Sequence, residues 1–344
     1  MQFPRAFWRK SHSLKSIEAS EYANKKFVEF LKNNTETDPY KILDNFVTWL
    51  DEQGHAPKTI KSCVTWAKEI LRQTHEITNE VFRNKVSLPT IQIPMDEKPS
   101  EEDLRNLLIH AQGRLKPYIA LLKDAPIRPI EAVGLQLMHF NFEHDPPHVI
   151  IPAYLSKNDM EREVFFTHET EAILKAYIEN RGLRSLEDYV FLLRPHLSDE
   201  IGFQKALFSA EKRLGNAFRE LLSKPAFKHL KIPMRGRRKD VRYKIHPYSL
   251  KKFSFTKAAD TLGELAAHAM SGHRAYLITY YKKSREERAK DFKKLIPKLS
   301  VLAPTDLEDE KKRAEVQASI QGLSGEQLNA ILKLARKLAS GKRR

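Results

Sequence analysis

The stretch "SGHRAYLITYYKKS", residues 271–284, sets a Gly-His pair ahead of three tyrosines, Tyr276, Tyr280 and Tyr281, in a basic setting. Tyrosines often cover a helix surface with the ring packed and the hydroxyl wet. Three so close together also raise a second reading, in which one of them does chemistry. On a helix, Tyr276 and Tyr280 fall on one face at i and i+4, while Tyr281 turns about 100° away from Tyr280. That spacing suits Tyr276 and Tyr280 to packing together and leaves Tyr281 to face elsewhere. The choice rests on what the rest of the chain supplies.

The chain has 344 residues, enough for two or three domains and a sizeable core. Hydrophobic residues make up 41% and charged residues 30%, which fits a globular protein and excludes a disordered one. The formal net charge is +16. So much positive charge costs self-repulsion, and a polyanionic partner is the commonest reason to tolerate it; a Lys-rich surface without such a partner is the plainer account. Cys63 is the only cysteine, which excludes a disulfide framework and a cysteine metal site and points to a buried thiol. The N-terminal "MQFPRAFWRKSHSLK" lacks the apolar run of a signal peptide, and no stretch has the length of a membrane span. A reducing, cytoplasmic location is expected by default. With 12 glycines and no Gly-rich loop, neither a P-loop nor a dinucleotide fingerprint is present.

Residues 17–82 read as helices. Tyr22, Phe27, Phe30 and Leu31 keep helical period, as do Ile42, Phe46, Trp49 and Leu50, and then Ile60, Val64, Ala67 and Leu71 after Pro57. Lys58, Lys61 and Lys68 decorate the other faces of the third helix, where they can lie along a phosphate backbone. Residues 83–99 carry three prolines and no helical period, and read as a linker. Ser100 followed by acidic residues opens a second domain on a helix. Within it, "PPHVIIPAYLS" and "REVFFT" flank "KNDME" as a β-hairpin, "THETEAILKAYIENRG" reads as a helix, and residues 183–235 as helical and Lys-rich. Residues 235–252 hold eight Lys or Arg against one Asp. Such a run is usually a solvated face or loop; here it adjoins the tyrosine segment. Leu328, Ile331, Leu332, Leu334 and Leu338 make an amphipathic stripe near the C-terminus, suited to the protein body or to another protomer. The domains read from these signals are a helical domain over 1–82, a linker over 83–99, a second domain over 100–300 and a helical basic tail over 301–344. The fold class is mainly α with a small antiparallel β-sheet (α+β).

In chain order the second domain offers "KDAPIRPIEAVGLQL", "YLSKNDMEREVFF", "IHPYSLKKFSFTKAAD" and "SGHRAYLITYYKKS". This succession resembles the catalytic domain of the tyrosine recombinases (the phage integrase family), especially archaeal integrase-like members. The helical region before the linker is similar to that family's core-binding domain, so the resemblance spans roughly residues 15–300. It implies a two-domain, C-shaped clamp on double-stranded DNA and a site-specific recombinase or integrase. In that chemistry a tyrosine hydroxyl attacks a phosphodiester and leaves a 3′-phosphotyrosine and a free 5′-hydroxyl. Guanidinium forks suit the extra negative charge of the transition state, a lysine can protonate the leaving oxygen, and a histidine can manage the tyrosine proton or bind an oxygen. The resemblance implies no metal and no cofactor.

Carried onto this sequence, the resemblance makes Arg128 the first phosphate-binding arginine, with Glu131 orienting it; the plain alternative is a helix-start arginine paired with Glu131 on the surface. Lys157 takes the hairpin lysine position, which in isolation would be only solubilising. Arg162, in the same turn, is read as a salt-bridge or phosphate-contact residue rather than a catalyst. His273 matches the Gly-His motif and would hydrogen-bond the scissile phosphate. In relatives with this spacing the nucleophile falls eight residues after the histidine, which selects Tyr281 over its alternative, Tyr280. The third motif departs from the family: Tyr248 stands at the usual histidine position and Lys251 at the second arginine, with His246 two residues before Tyr248 and Lys252 next in line. Lysine keeps the charge but loses the fork. Three accounts stay open: Lys251 is a weaker clamp assisted by His246, an arginine such as Arg242 fills the gap, or the site is impaired. Arg235, Arg237, Arg238, Arg242 and Lys252 join Lys58, Lys61, Lys68 and Arg162 as expected DNA contacts. The resemblance also implies self-assembly on DNA, dimer to tetramer during strand exchange, and an association with the nucleoid when bound. Rival readings are a catalytically impaired relative that only binds DNA and a topoisomerase-like relaxase.

Overall fold

The computed structural model describes residues 14–91, 97–157, 159–193, 200–232, 242–272, 283–303 and 323–341, together with 308, 312, 316, 319 and 320. The chain divides into two compact units, one built from the first four helices and the other from the elements after residue 96.

The first unit holds α1 (Leu14–Leu31), α2 (Pro39–Glu52), α3 (Pro57–Leu71) and α4 (Asn79–Lys85). Proline in the first turn starts both α2 and α3, where its missing N–H costs nothing. Asp38 and Thr78 cap α2 and α4 by accepting from the N–H groups of Tyr40 and Val81. The core is aromatic: Phe27, Phe30 and Phe46 lie within 6.3 Å of one another, closed by Leu43, Leu50, Ile60 and Val64. Cys63 is buried among them, and burial pushes its thiol pKa up. The helix α4 runs to Lys85 and Val86 is buried, three residues and more into the stretch read from its prolines as linker. Tyr22, expected in the core, is 41% exposed and meets the ring of His55 edge-on.

The second unit opens with α5 (Glu101–His110), whose Ser100 and Asp103 form a reciprocal capping box. Then comes α6 (Leu115–Asp124), buried at every residue but Lys116 and mostly apolar, apart from that lysine and its last two residues. After α7 (Pro129–Val133), the strands β1 (Phe140–Asn141), β2 (His148–Ile151) and β3 (Arg162–Phe165) form an antiparallel sheet in the order β1-β2-β3, with Ile151 opposite Arg162. The expected hairpin is present, but its connection is longer than "KNDME", because a 3₁₀ turn at Ala153–Leu155 follows Pro152. Leu155 packs so closely on α7 that a Cβ on Gly134 would lie 2.4 Å from it.

The helix α8 (His168–Arg181) starts on a Thr167 cap and stops at Gly182 in the left-handed region. Residues 183–193 do not form the expected helix: Asp188 folds them by accepting from the N–H groups of Arg184 and Ser185, and Val190, Phe191 and Leu192 are buried in the core. The helix α9 (Glu200–Leu222) precedes the short pair β4 (Lys231–Ile232) and β5 (Arg242–Tyr243). Next come α10 (Pro247–Leu262), which packs on α6, and α11 (Glu264–Ser271), then α12 (Arg285–Leu299) and α13 (Gly325–Gly341). Among the described residues, the unit is mainly helical around one core with small antiparallel sheets, the α+β class expected. No described helix is long and apolar enough to cross a membrane.

Candidate active site

Arg128 sits immediately before α7, held there because Pro126 and Pro129 bracket it and because the Tyr118 hydroxyl of α6 donates to the Pro129 carbonyl at 3.4 Å. Its backbone N–H donates to Glu131 Oε2 and its Nη1 to Glu131 Oε1, both at 2.7 Å. The pairing is not a surface one. The Glu131 side chain is fully buried, and the same carboxylate accepts from Arg162 Nη2 at 2.6 Å and Nη1 at 3.4 Å. Burial would raise the Glu131 pKa; the charge of Arg162 and the hydrogen bonds of both arginines hold it below the usual carboxylate range.

The third cation is Lys251, on the buried face of α10. It is 3% exposed, donates to the Ser271 carbonyl at 3.4 Å, and lies 5.9 Å from the Tyr248 ring centroid. Burial and the neighbouring charges of Arg128 and Arg162 outweigh Glu131 and bring its pKa down to about 8. Three cations thus surround one carboxylate in a largely dry place. Buried charges are normally paired, and an anion would balance the excess here. The planar arginines are the type suited to bidentate capture of an oxyanion, and Lys251 lies where a proton can be gained or lost near neutral pH.

The Gly-His segment enters at this point. Gly272 closes α11 at φ 64°, and a Cβ there would lie 2.9 Å from Arg162 Nε. On the far side of residues 273–282 the chain is fixed again on the next residue of the same strand: Glu163 takes Arg285 Nε at 2.6 Å and Arg288 Nη2 at 2.7 Å, with His148 at 3.3 Å. Burial pushes the His148 pKa down. Successive residues of β3 therefore hold the two ends of the segment that carries the tyrosines.

No protein-family model matches the chain, and no curated protein matches it by sequence. Solved structures do match. A lambda integrase dimer bound to a COC′ core site is similar over 82% of this chain and 93% of its own, at 11% identity and a TM-score of 0.54. XerH site-specific recombinase, in a post-cleavage complex with a palindromic difH substrate, is similar over 89% of this chain and 80% of its own, at 15% identity and 0.52. The Tn1549 transposon integrase in complex with transposon right end DNA is similar over 83% and 94%, at 13% identity and 0.50. The chain has the tyrosine-recombinase fold.

Within that recombinase fold the expected residues do not all meet. Arg128 and Lys251 share the cluster with Glu131. Lys157 is exposed in the β2–β3 connection and makes no hydrogen bond or ion pair with the cluster among the described residues. Tyr248 is 40% exposed in the first turn of α10, and His246 caps that helix, its N–H donating to Ser249 Oγ at 3.1 Å. Arg242 is exposed in β5 and is not among the charges acting on Lys251; the arginines that act on it are Arg128 and Arg162. Lys252 is half-buried. Arg235, Arg237, Arg238, His273, Tyr276, Tyr280 and Tyr281 lie outside the described residues. In the first unit Lys58 and Lys61 are exposed, whereas Lys68 is half-buried, with its ammonium 4.7 Å from the Phe82 ring centroid and 3.3 Å from Asn79 Oδ1, where it ties α3 to α4.

Sequence reasoning missed a second buried charge centre. Lys123 donates to Asp124 and to the Leu299 carbonyl at 2.5 Å and forms an ion pair with Glu169 at 3.0 Å, while Glu169 accepts the N–H groups of Val301 and Leu302. Burial would lower the Lys123 pKa, but the two carboxylates raise it. This centre fixes the end of α12 to α6 and α8. A lysine and an aspartate closing a mostly apolar helix were its sequence signal.

Proposed function

We propose that the protein is a site-specific DNA recombinase or integrase that cleaves and rejoins double-stranded DNA through a 3′-phosphotyrosine intermediate. The reading is carried by one observation: a buried surplus of positive charge, Arg128, Arg162 and Lys251 around Glu131, beside the Gly-His turn that leads to the tyrosines. In this reading Tyr281 Oη attacks the scissile phosphorus. The Tyr–O–P bond forms as the P–O5′ bond breaks, the tyrosine proton passes to a neighbouring base, and the departing 5′-oxygen takes a proton. Arg128 and Lys251 hold the nonbridging oxygens and His273 hydrogen-bonds one of them. Lys157, on its exposed connection, reaches the leaving oxygen when DNA is bound. Attack by a 5′-hydroxyl on the phosphotyrosine reverses the step and reseals the strand. The exposed Lys58 and Lys61 and the basic residues 235–252 contact the duplex backbone, and several protomers assemble on DNA for strand exchange.

A duplex nicked just 3′ of the cleavage position, so that the short fragment bearing the freed 5′-hydroxyl diffuses away, tests the reading, offered as a pool of random sequence because base readout is unknown. Covalent adduct from wild type that is lost in Tyr281→Phe supports it. Adduct lost only in Tyr280→Phe moves the nucleophile by one residue. The lysine at 251 favours a second reading, a relative that binds DNA without cutting it; retained duplexes with no adduct would establish that one.

A further inference from the structure

The family's second arginine is a lysine here, and one guanidinium cannot hold both nonbridging oxygens of a phosphorane from two sides. Arg162 has a spare edge. A guanidinium presents two forks, one across its terminal nitrogens and one across Nε and the nearer terminal nitrogen. Glu131 occupies the first, at 2.6 and 3.4 Å. The second is unused: among the described residues Arg162 Nε is buried with no hydrogen-bond partner, although only 9% of the side chain is exposed. The flat face of the guanidinium lies under Gly272, where a Cβ would come within 2.9 Å of both Cδ and Nε and 3.1 Å of Cζ, so the Nε edge itself is not what Gly272 covers. The Ser271 hydroxyl, one residue back, is also buried without a partner. Two orphaned buried donors, one on Arg162 and one on the residue next to the glycine that covers it, beside surplus positive charge, point to a missing acceptor.

We propose that Arg162, from strand β3, supplies the second guanidinium of the phosphate pocket, through its Nε edge and with the Ser271 hydroxyl beside it, in place of the arginine that the family carries at position 251. The proposal rests on the recombinase reading for its substrate, a DNA phosphodiester, but the pocket it describes is an oxyanion site in its own right. Glu131 then serves both arginines as a shared anchor, keeping the two forks at a fixed separation before DNA arrives. Gly272 is required because a Cβ there would push the Arg162 guanidinium out of its place. Lys251 contributes charge rather than a fork, so the chain keeps two guanidinium groups and one ammonium at the phosphate.

Two measurements on the full chain test it, each with wild type, Arg162→Lys and the double variant Arg162→Lys/Lys251→Arg. Arg162→Lys keeps the charge that Glu131 needs and removes only the fork; circular dichroism checks its fold. First, inorganic phosphate is titrated and the unfolding midpoint followed. Phosphate affinity is expected to fall at least tenfold in Arg162→Lys and to recover in the double variant. Second, adduct formation on nicked duplexes selected from the random pool is timed; removing one oxyanion donor predicts a loss of about 10²–10³-fold, with at least tenfold recovered when Lys251→Arg returns a fork to the pocket. An Arg162→Lys protein that binds phosphate and forms adduct within threefold of wild type overturns the proposal. So does a double variant no better than the single, because a merely structural Arg162 cannot be replaced from α10. Wild-type protein that forms no adduct refutes the recombinase reading instead, and the phosphate titration alone then decides for or against Arg162.

Discussion

Replacing Lys251 with Met should make the protein more stable at neutral pH, the opposite of the usual result for a buried side chain. The lysine pKa falls from 10.5 to about 8 on folding. At about 1.4 kcal/mol per unit, holding the proton in the folded pocket costs roughly 3 kcal/mol. Met fills nearly the same volume without a charge. It forfeits the hydrogen bond to the Ser271 carbonyl, worth about 1 kcal/mol, so the net gain at pH 7 is roughly 2 kcal/mol. Below pH 8 folded and unfolded lysine both hold the proton and the whole cost is present. Between pH 8 and 10.5 only the unfolded chain keeps it, so wild type gains stability as pH rises and the advantage of Met shrinks. By pH 10 the cost has dropped to about 1 kcal/mol and the two proteins should be nearly equal. Urea unfolding of both, at pH 7 and pH 10 in phosphate-free buffer, reads the difference directly. A Lys251→Met protein less stable than wild type at pH 7, or a gap that does not change with pH, would refute the argument that Lys251 is a surplus buried cation. The variant should also lose cleavage, because the strain it relieves is what binds phosphate.

Three further outcomes are expected. Cleavage should slow as pH rises through about 8, where Lys251 gives up its proton, and Lys251→Arg should abolish that alkaline limb while changing the rate at pH 7 little, as a pH–rate profile will show. Lys123→Met leaves Asp124 and Glu169 buried without their cation and should cost at least about 3 kcal/mol in urea unfolding, with loss of hydrogen-exchange protection at Val301 and Leu302. Deleting residues 322–344 removes α13 and its exposed Ile331, Leu332 and Leu334; it should leave DNA binding by one protomer intact and weaken assembly of several, measured by band-shift stoichiometry.

The helices were legible because their cues are local: proline at the start of α2 and α3, the Ser100 box, Thr167 before α8, and apolar residues at helical period. The hairpin was legible from two apolar runs, and Arg128 with Glu131 from a spacing of three residues. Arg162 was legible as a salt-bridge residue, but its partner Glu131 was not, being 31 residues away, and nothing local shows that β3 turns that side chain under Gly272. Lys68 looked like a surface cation, since periodicity places it off the core stripe but not over Phe82. The same limit hid Lys123, whose carboxylate partner is on α8. Residues 183–193 lost their helix because Asp188 caps a turn and three apolar residues, Val190, Phe191 and Leu192, bury in the core, a choice made by packing rather than propensity.

The central claim is that a tyrosine of the 271–284 segment becomes joined to DNA, and that it is Tyr281. The direct measurement is to trap protein on the nicked duplex pool, digest it with nuclease and protease, and locate the nucleotide remnant by mass spectrometry. The account predicts a remnant on Tyr281, with Tyr276 and Tyr280 unmodified. Protein that retains the duplexes yet carries no nucleotide on any tyrosine would contradict it and leave a DNA-binding protein with the recombinase fold.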